Sequence, residues 1–68
     1  MQVTAILNRA EEGGFIAFNP ETGTTTQGET LDDALANLRE AVELYPEEFP
    51  LVPLGAPFIT SLDIAANA

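Results

Sequence analysis

The chain contains no cysteine, no histidine and no tryptophan, and its only two basic residues, Arg9 and Arg39, leave it without a lysine. Without cysteine there is neither a disulfide staple nor a thiolate metal site. Without histidine, the usual general base at neutral pH and the commonest zinc ligand are both missing. The scarcity of bases excludes as much. Nucleic-acid binding needs Lys and Arg to neutralise phosphates, and anionic lipid attracts the same residues, so both partners are argued against. No apolar run approaches the ~18 residues of a membrane-spanning helix. Met1 to Ala10 shows no signal-peptide pattern, which points to the cytosol.

What is present is acid together with an ordinary apolar content. Eleven Asp and Glu residues give a formal net charge of −9, while 46% of the 68 residues are apolar. That is too apolar for a disordered acidic tail, so the chain reads as one folded acidic domain. A domain near this size buries only roughly 60% of its unfolded surface, and self-association is a common remedy. The acid itself has two readings: it keeps a small protein soluble, or it faces a cationic protein partner.

Along the chain, Gln2 to Asn8 alternates Val3, Ala5 and Leu7 against Thr4, Ile6 and Asn8, which predicts a first strand. Arg9 to Gly14 is a hairpin loop closed by two glycines. Phe15 to Phe18 is a second strand, apolar on both faces, and Asn19-Pro20-Glu21-Thr22-Gly23 is a turn. Thr24 to Gln27 is a short third strand that Gly28 breaks. Thr30 then offers an N-cap hydroxyl to the Asp33 amide, with Glu29, Asp32 and Asp33 at the positive end of the helix dipole. Leu31, Ala34, Leu35, Leu38, Ala41, Val42 and Tyr45 form the apolar stripe of a helix lying on a sheet, and Pro46 stops it. Residues 46–57 carry four prolines and read as an extended connector. Pro57 to Ile64 restores alternation and predicts a fourth strand.

The expected fold is therefore α+β, in the order β-β-β-α-β: one small, mainly antiparallel sheet with one helix packed on one face. A single helix cannot cover both faces. Ile6, Ile16, Phe18 and Ile59 are left for the other one, and an apolar face of that kind marks a surface for self-association into a homo-oligomer.

Catalytic residues are hard to find. Glu11-Glu12, Asp32-Asp33 and Glu47-Glu48 are adjacent pairs whose side chains point apart, a poor geometry for sharing a proton or a metal. No stretch has the spacing of a calcium loop, and Gly13-Gly14 lacks the Lys-Ser/Thr of a phosphate loop. Ser61 and the threonines of Thr24 to Thr26 have no base to activate them. Tyr45, Phe49 and Phe58 read as core anchors rather than an aromatic ligand site. The expectation is a protein that is not an enzyme and carries no cofactor and no metal.

The segments Gly14-Phe15-Ile16-Ala17-Phe18-Asn19-Pro20, Gly23, Thr26-Gln27-Gly28-Glu29-Thr30-Leu31-Asp32-Asp33-Ala34-Leu35-Ala36-Asn37-Leu38 and Glu40-Ala41 resemble the HicB family of antitoxins. The likeness covers about Val3 to Tyr45. It implies a partial ribonuclease-H-like fold that self-associates, and a partner: a small basic HicA-type toxin that cleaves RNA. The chain departs from the family at its turn, which lacks the leucine and second proline of the family pattern. It also ends without a helix-turn-helix or ribbon-helix-helix module after the expected fourth strand, so direct nucleic-acid binding is not implied. The expected partner-binding residues, chosen for charge and exposure, are Glu11, Glu12, Glu21, Glu29 and Asp32. The alternative is a stand-alone oligomeric scaffold or small-ligand-binding protein with the same fold and no toxin.

Overall fold

A computed structural model describes residues 2–45 and 56–66. Three antiparallel strands lie in the order β1-β2-β3: β1 (Ile6–Arg9), β2 (Phe15–Asn19) and β3 (Thr24–Gly28), followed by helix α1 (Leu31–Glu43). The register pairs Leu7 with Ala17 and Ala17 with Thr26. Because side chains alternate along a strand, Leu7, Ala17 and Thr26 share the face under the helix. The core is small. Ala17, Ala34 and Leu38 are buried, and Leu7, Phe15 and Val42 pack around them.

The first strand starts later than the alternation predicts, and the reason is local. The Thr4 N–H donates to Glu21 Oε1 at 2.7 Å, and the Thr4 carbonyl accepts from Asn19 Nδ2 at 2.8 Å. Side chains of the β2–β3 turn have taken the backbone groups that a strand partner would use. The lead-in from Val3 to Ala5 is thereby tied to the turn rather than paired in the sheet.

The hairpin loop closes with Gly13 and Gly14 at φ +103° and +78°, a region only glycine enters at low cost. At the other end of the sheet the Gly23 N–H donates to the Asn19 carbonyl at 2.8 Å. Helix α1 opens as its cap predicts: the Asp33 N–H donates to Thr30 Oγ1 at 3.0 Å. It ends at Glu43, with Leu44 as C-cap.

Gly28 does something other than break a strand. It is the last residue of β3, and a Cβ there would lie 2.3 Å from Ala34 N and 2.7 Å from the Asp33 carbonyl carbon. The helix backbone rests directly on this glycine. Two polar contacts hold the same junction: Thr26 Oγ1 donates to the Ala34 carbonyl at 3.1 Å, and Asn37 Nδ2 donates to the Gln27 carbonyl at 2.7 Å. Thr26, Gly28, Thr30, Ala34, Asn37 and Leu38 thus form one strand–helix joint.

Two expectations are corrected. Leu31 and Leu35 belong to the apolar stripe by spacing but are 48% and 39% exposed. The helix packs mainly over β3 and β2, so a sheet of three short strands leaves part of the stripe without cover. The predicted fourth strand at Pro57 to Ile64 is not formed: residues 56–66 have no regular secondary structure and are exposed throughout. Alternation makes a segment able to be a strand, but a strand also needs a partner to hydrogen-bond with, and residues 56–66 are paired with none. Ile59 consequently does not join Ile6, Ile16 and Phe18, which pairing and alternation place together, half-buried, on the sheet face away from the helix. Residues 46–55, with the expected connector and Phe49, lie outside the described residues.

Candidate functional site

Charge is distributed unevenly over this frame. The register sets Arg9 beside Phe15 and Phe15 beside Gly28, so the β1–β2 loop and the β3–α1 corner meet at one end of the sheet. A Cβ on Gly14 would stand 2.7 Å from the Gly28 carbonyl oxygen, which measures how closely the two turns approach. Between them lies a shallow concavity of about 470 Å³ whose lining includes Glu12, Gly13, Gly14, Gln27, Gly28 and Glu29. Glu11 is exposed on the same loop, and Asp32 stands exposed in the first helical turn. Four of the five expected partner-binding acids, Glu11, Glu12, Glu29 and Asp32, therefore belong to these two neighbouring segments.

Few cations answer them. The Arg9 guanidinium carbon sits 5.9 Å from the centroid of the Phe15 ring. Arg39 Nε donates to Glu43 Oε1 at 3.0 Å, one helical turn along, and both side chains are mostly in solvent. Such a pair adds little stability. Among the described residues this is the one ion pair, so the acids at the loop end carry their charge without an internal partner.

Glu21 stands apart from the others. It lies past the opposite end of β2, and four residue steps along a strand separate the two ends by roughly 14 Å. Its carboxylate is already engaged: Oε1 accepts from Thr4 N and from Asn19 Nδ2, each at 2.7 Å, and Oε2 accepts from Thr4 Oγ1 at 2.8 Å. The Thr4 backbone N–H holds its pKa below the ordinary value of 4.5. Glu21 ties the N-terminal lead-in to the turn.

Asn19 is the centre of that tie. It is fully buried, its Nδ2 donating to Thr4 O and Glu21, its Oδ1 accepting from Thr22 N at 2.9 Å and Thr22 Oγ1 at 2.7 Å. Every hydrogen-bonding position of a buried amide is thus in use. Sequence reasoning missed this role. The available signal was an Asn closing a strand just before a Pro-containing turn, a place where Asn side chains bond to nearby backbone.

A second concavity, also about 470 Å³, lies between helix α1 and the lead-in to β1. Val3, Ala5, Leu35, Leu38 and Val42 make it mainly apolar, with Arg39 and Glu43 at its rim. Among the described residues, no group of three or more Asp or Glu side chains comes together in a way that could hold a metal ion. Among the described residues, no helix is long and apolar enough to cross a membrane.

Residues 3–65 match a family described as "Family of unknown function (DUF7387)". The chain is also similar to UPF0150 proteins. It is 42% identical over 48 residues to UPF0150 protein ssl0738 of Synechocystis sp., covering 69% of this chain and 67% of that one. A second protein of that organism, UPF0150 protein ssr1765, is 42% identical over 45 residues, 65% of this chain and 57% of the relative. A UPF0150 protein of Helicobacter pylori is 39% identical over 46 residues, 66% of this chain and 62% of the relative. The chain thus spans about three-fifths to two-thirds of these relatives' lengths. No solved structure matches.

Proposed function

The chain belongs to the DUF7387 family, and from that starting point we propose that it is a HicB-like antitoxin, a binding protein that masks a small basic RNA-cleaving toxin in the cytoplasm. The observation that carries this reading is the uncompensated acid at one end of the sheet, where Glu11, Glu12, Glu29 and Asp32 border neighbouring turns. Opposite charge steers encounter and raises the association rate, while affinity comes from apolar contact beside it. Masking requires nothing catalytic of this chain. It requires an acidic ridge, and the close approach of Gly14 to Gly28 keeps the two turns that carry the acids side by side.

Within the motif that suggests the family, Thr26 to Leu38, residues Thr26, Gly28, Ala34 and Asn37 make the strand–helix joint and hold Glu29 and Asp32 of the same motif in place. Self-association is part of the same proposal, and the half-exposed face of Ile6, Ile16 and Phe18 is its first candidate surface.

The direct test pairs this protein with the basic protein encoded beside it, in a co-purification followed by an RNA-cleavage assay. The expected result is a complex whose formation suppresses cleavage. Glu12→Lys with Glu29→Lys should slow association by about tenfold or more at low salt, and added salt should shrink the difference. A chain that neither binds such a protein nor suppresses its cleavage refutes the toxin part of the reading. In that case the stand-alone oligomeric scaffold takes its place, favoured by the apolar groove between helix α1 and the lead-in to β1.

A further inference from the structure

Two open apolar features occur in the same chain and match each other. One is residues 57–64. Phe58 is fully exposed, and Ile59, Leu62 and Ile64 are 63%, 76% and 80% exposed, so four large apolar side chains within seven positions contact water. The other is the groove beside the lead-in to β1, where Val3 is 41% and Leu35 39% exposed. β1 is a terminal strand of the sheet, and an edge strand presents a row of unpaired N–H and C=O groups that templates another strand.

We propose that residues 57–64 form a β-strand on the β1 edge of a second copy of this chain, and that the two copies exchange these arms reciprocally. The side-chain rows fit only one way round. Alternation puts Phe58, Thr60, Leu62 and Ile64 on one side of the arm and Ile59, Ser61 and Asp63 on the other. A strand added to β1 continues its pleat, with one row toward the helix layer and one toward the far face. The row of Phe58, Leu62 and Ile64 suits the groove of Val3, Ala5, Leu35, Leu38 and Val42. The reverse arrangement would put Asp63 into that apolar groove near Glu43, which like-charge repulsion and desolvation both oppose. In the favoured arrangement Ile59 falls on the far face, beside Ile6, Ile16 and Phe18. The one expected member of that face which the isolated chain leaves elsewhere is thereby returned to it.

The occupant is a second copy rather than the chain's own arm. In the single chain the arm is exposed along its whole length while the groove stands open, so the two have not closed on each other. Exchange between two copies is isologous: each edge receives one arm and the assembly closes at two.

This inference rests on the self-association part of the proposed function and is independent of any toxin. The test uses the full chain by sedimentation at micromolar concentration, beside Leu62→Asp and Ile16→Asp. Leu62 is largely solvent-exposed in the single chain, so Leu62→Asp should keep the helical circular-dichroism signal while dimer affinity falls by about a hundredfold. Because the chain has no cysteine, Ala5→Cys chains can be mixed with size-tagged Leu62→Cys or Ile64→Cys chains and oxidised. A mixed disulfide dimer is the expected product. A monomeric wild-type chain would overturn both the inference and self-association. A dimer that survives Leu62→Asp but is lost in Ile16→Asp would overturn the arm alone and leave the sheet face as the interface. A doubly substituted chain that closes its disulfide within one copy would overturn exchange between copies.

Discussion

Replacing Gly28 by alanine tests the strand–helix joint more sharply than any other single change. The added Cβ would lie 2.3 Å from Ala34 N, 2.7 Å from the Asp33 carbonyl carbon and 2.8 Å from Ala34 Cα. All three neighbours are helix backbone, which cannot rotate aside as a side chain can. Overpacking of this kind costs about 1–3 kcal/mol. If the helix lifts to relieve it, the bonds from Thr26 to Ala34 and from Asn37 to Gln27 lengthen, each contributing about 0.5–1.5 kcal/mol. Against this, alanine restricts the unfolded chain and returns about 0.4–1 kcal/mol. The expected net loss is about 2–4 kcal/mol. A domain of this size has a total of only about 3–10 kcal/mol, so Gly28→Ala should be close to unfolding at room temperature. The assay is urea denaturation followed by helix circular dichroism. Gly23→Ala is the control, because Gly23 is at φ +74° with open space around its Cβ position. There the cost is conformational only, about 1–2 kcal/mol, and Gly23→Asn should recover part of it because Asn tolerates left-handed backbone. Gly28→Asn should recover nothing. If Gly28→Ala proves no worse than Gly23→Ala, the close approach of helix to strand does not govern stability and the reasoning fails.

Other outcomes follow from the same geometry. Thr30→Ala removes the hydroxyl that accepts from Asp33 N and should cost about 1 kcal/mol in the urea midpoint, whereas Thr30→Ser should be nearly neutral. Asn19→Leu strands the Thr22 N–H and the Thr4 carbonyl beside a buried site and should lower stability by about 2–4 kcal/mol, read as a thermal midpoint drop of at least about 8 °C. Glu21 has a folded pKa depressed by the Thr4 N–H, so its contribution is present above the ordinary value of 4.5 and is lost as pH falls through the folded value. Urea midpoints of wild type and Glu21→Gln should therefore differ at pH 7 and converge toward the acid limb; a constant gap at every pH would show that the charge is not what holds the N-terminal lead-in.

Residue pattern made some of this legible. Thr30 as a cap is a three-residue relationship, Asp33 amide to Thr30 hydroxyl, and local chemistry of that range is written in order along the chain. The same holds for the hairpin, whose glycines announce positive φ. Asn19 was not legible in the same way. One of its four side-chain bonds reaches back to Thr4, fifteen positions away, and nothing near Asn19 names that partner. Glu21 shows the same limit from the side of function. By charge and exposure it belongs with Glu12 and Glu29, yet strand direction puts it at the other end of the sheet, bonded to Thr4.

The sequence by itself determined three strands, a capped helix and the excess of acid, because each depends on spacing, turn chemistry or composition within a few neighbouring residues. The tertiary structure alone decided which residues meet. It set the helix backbone on Gly28, gathered Glu12 and Glu29 around one concavity, and drew Thr4 out of the sheet. It also left residues 57–64 without a strand partner, although their alternation is as regular as that of β1. Alternation is a property of the segment, whereas pairing depends on a free edge and on what else is there to fill it.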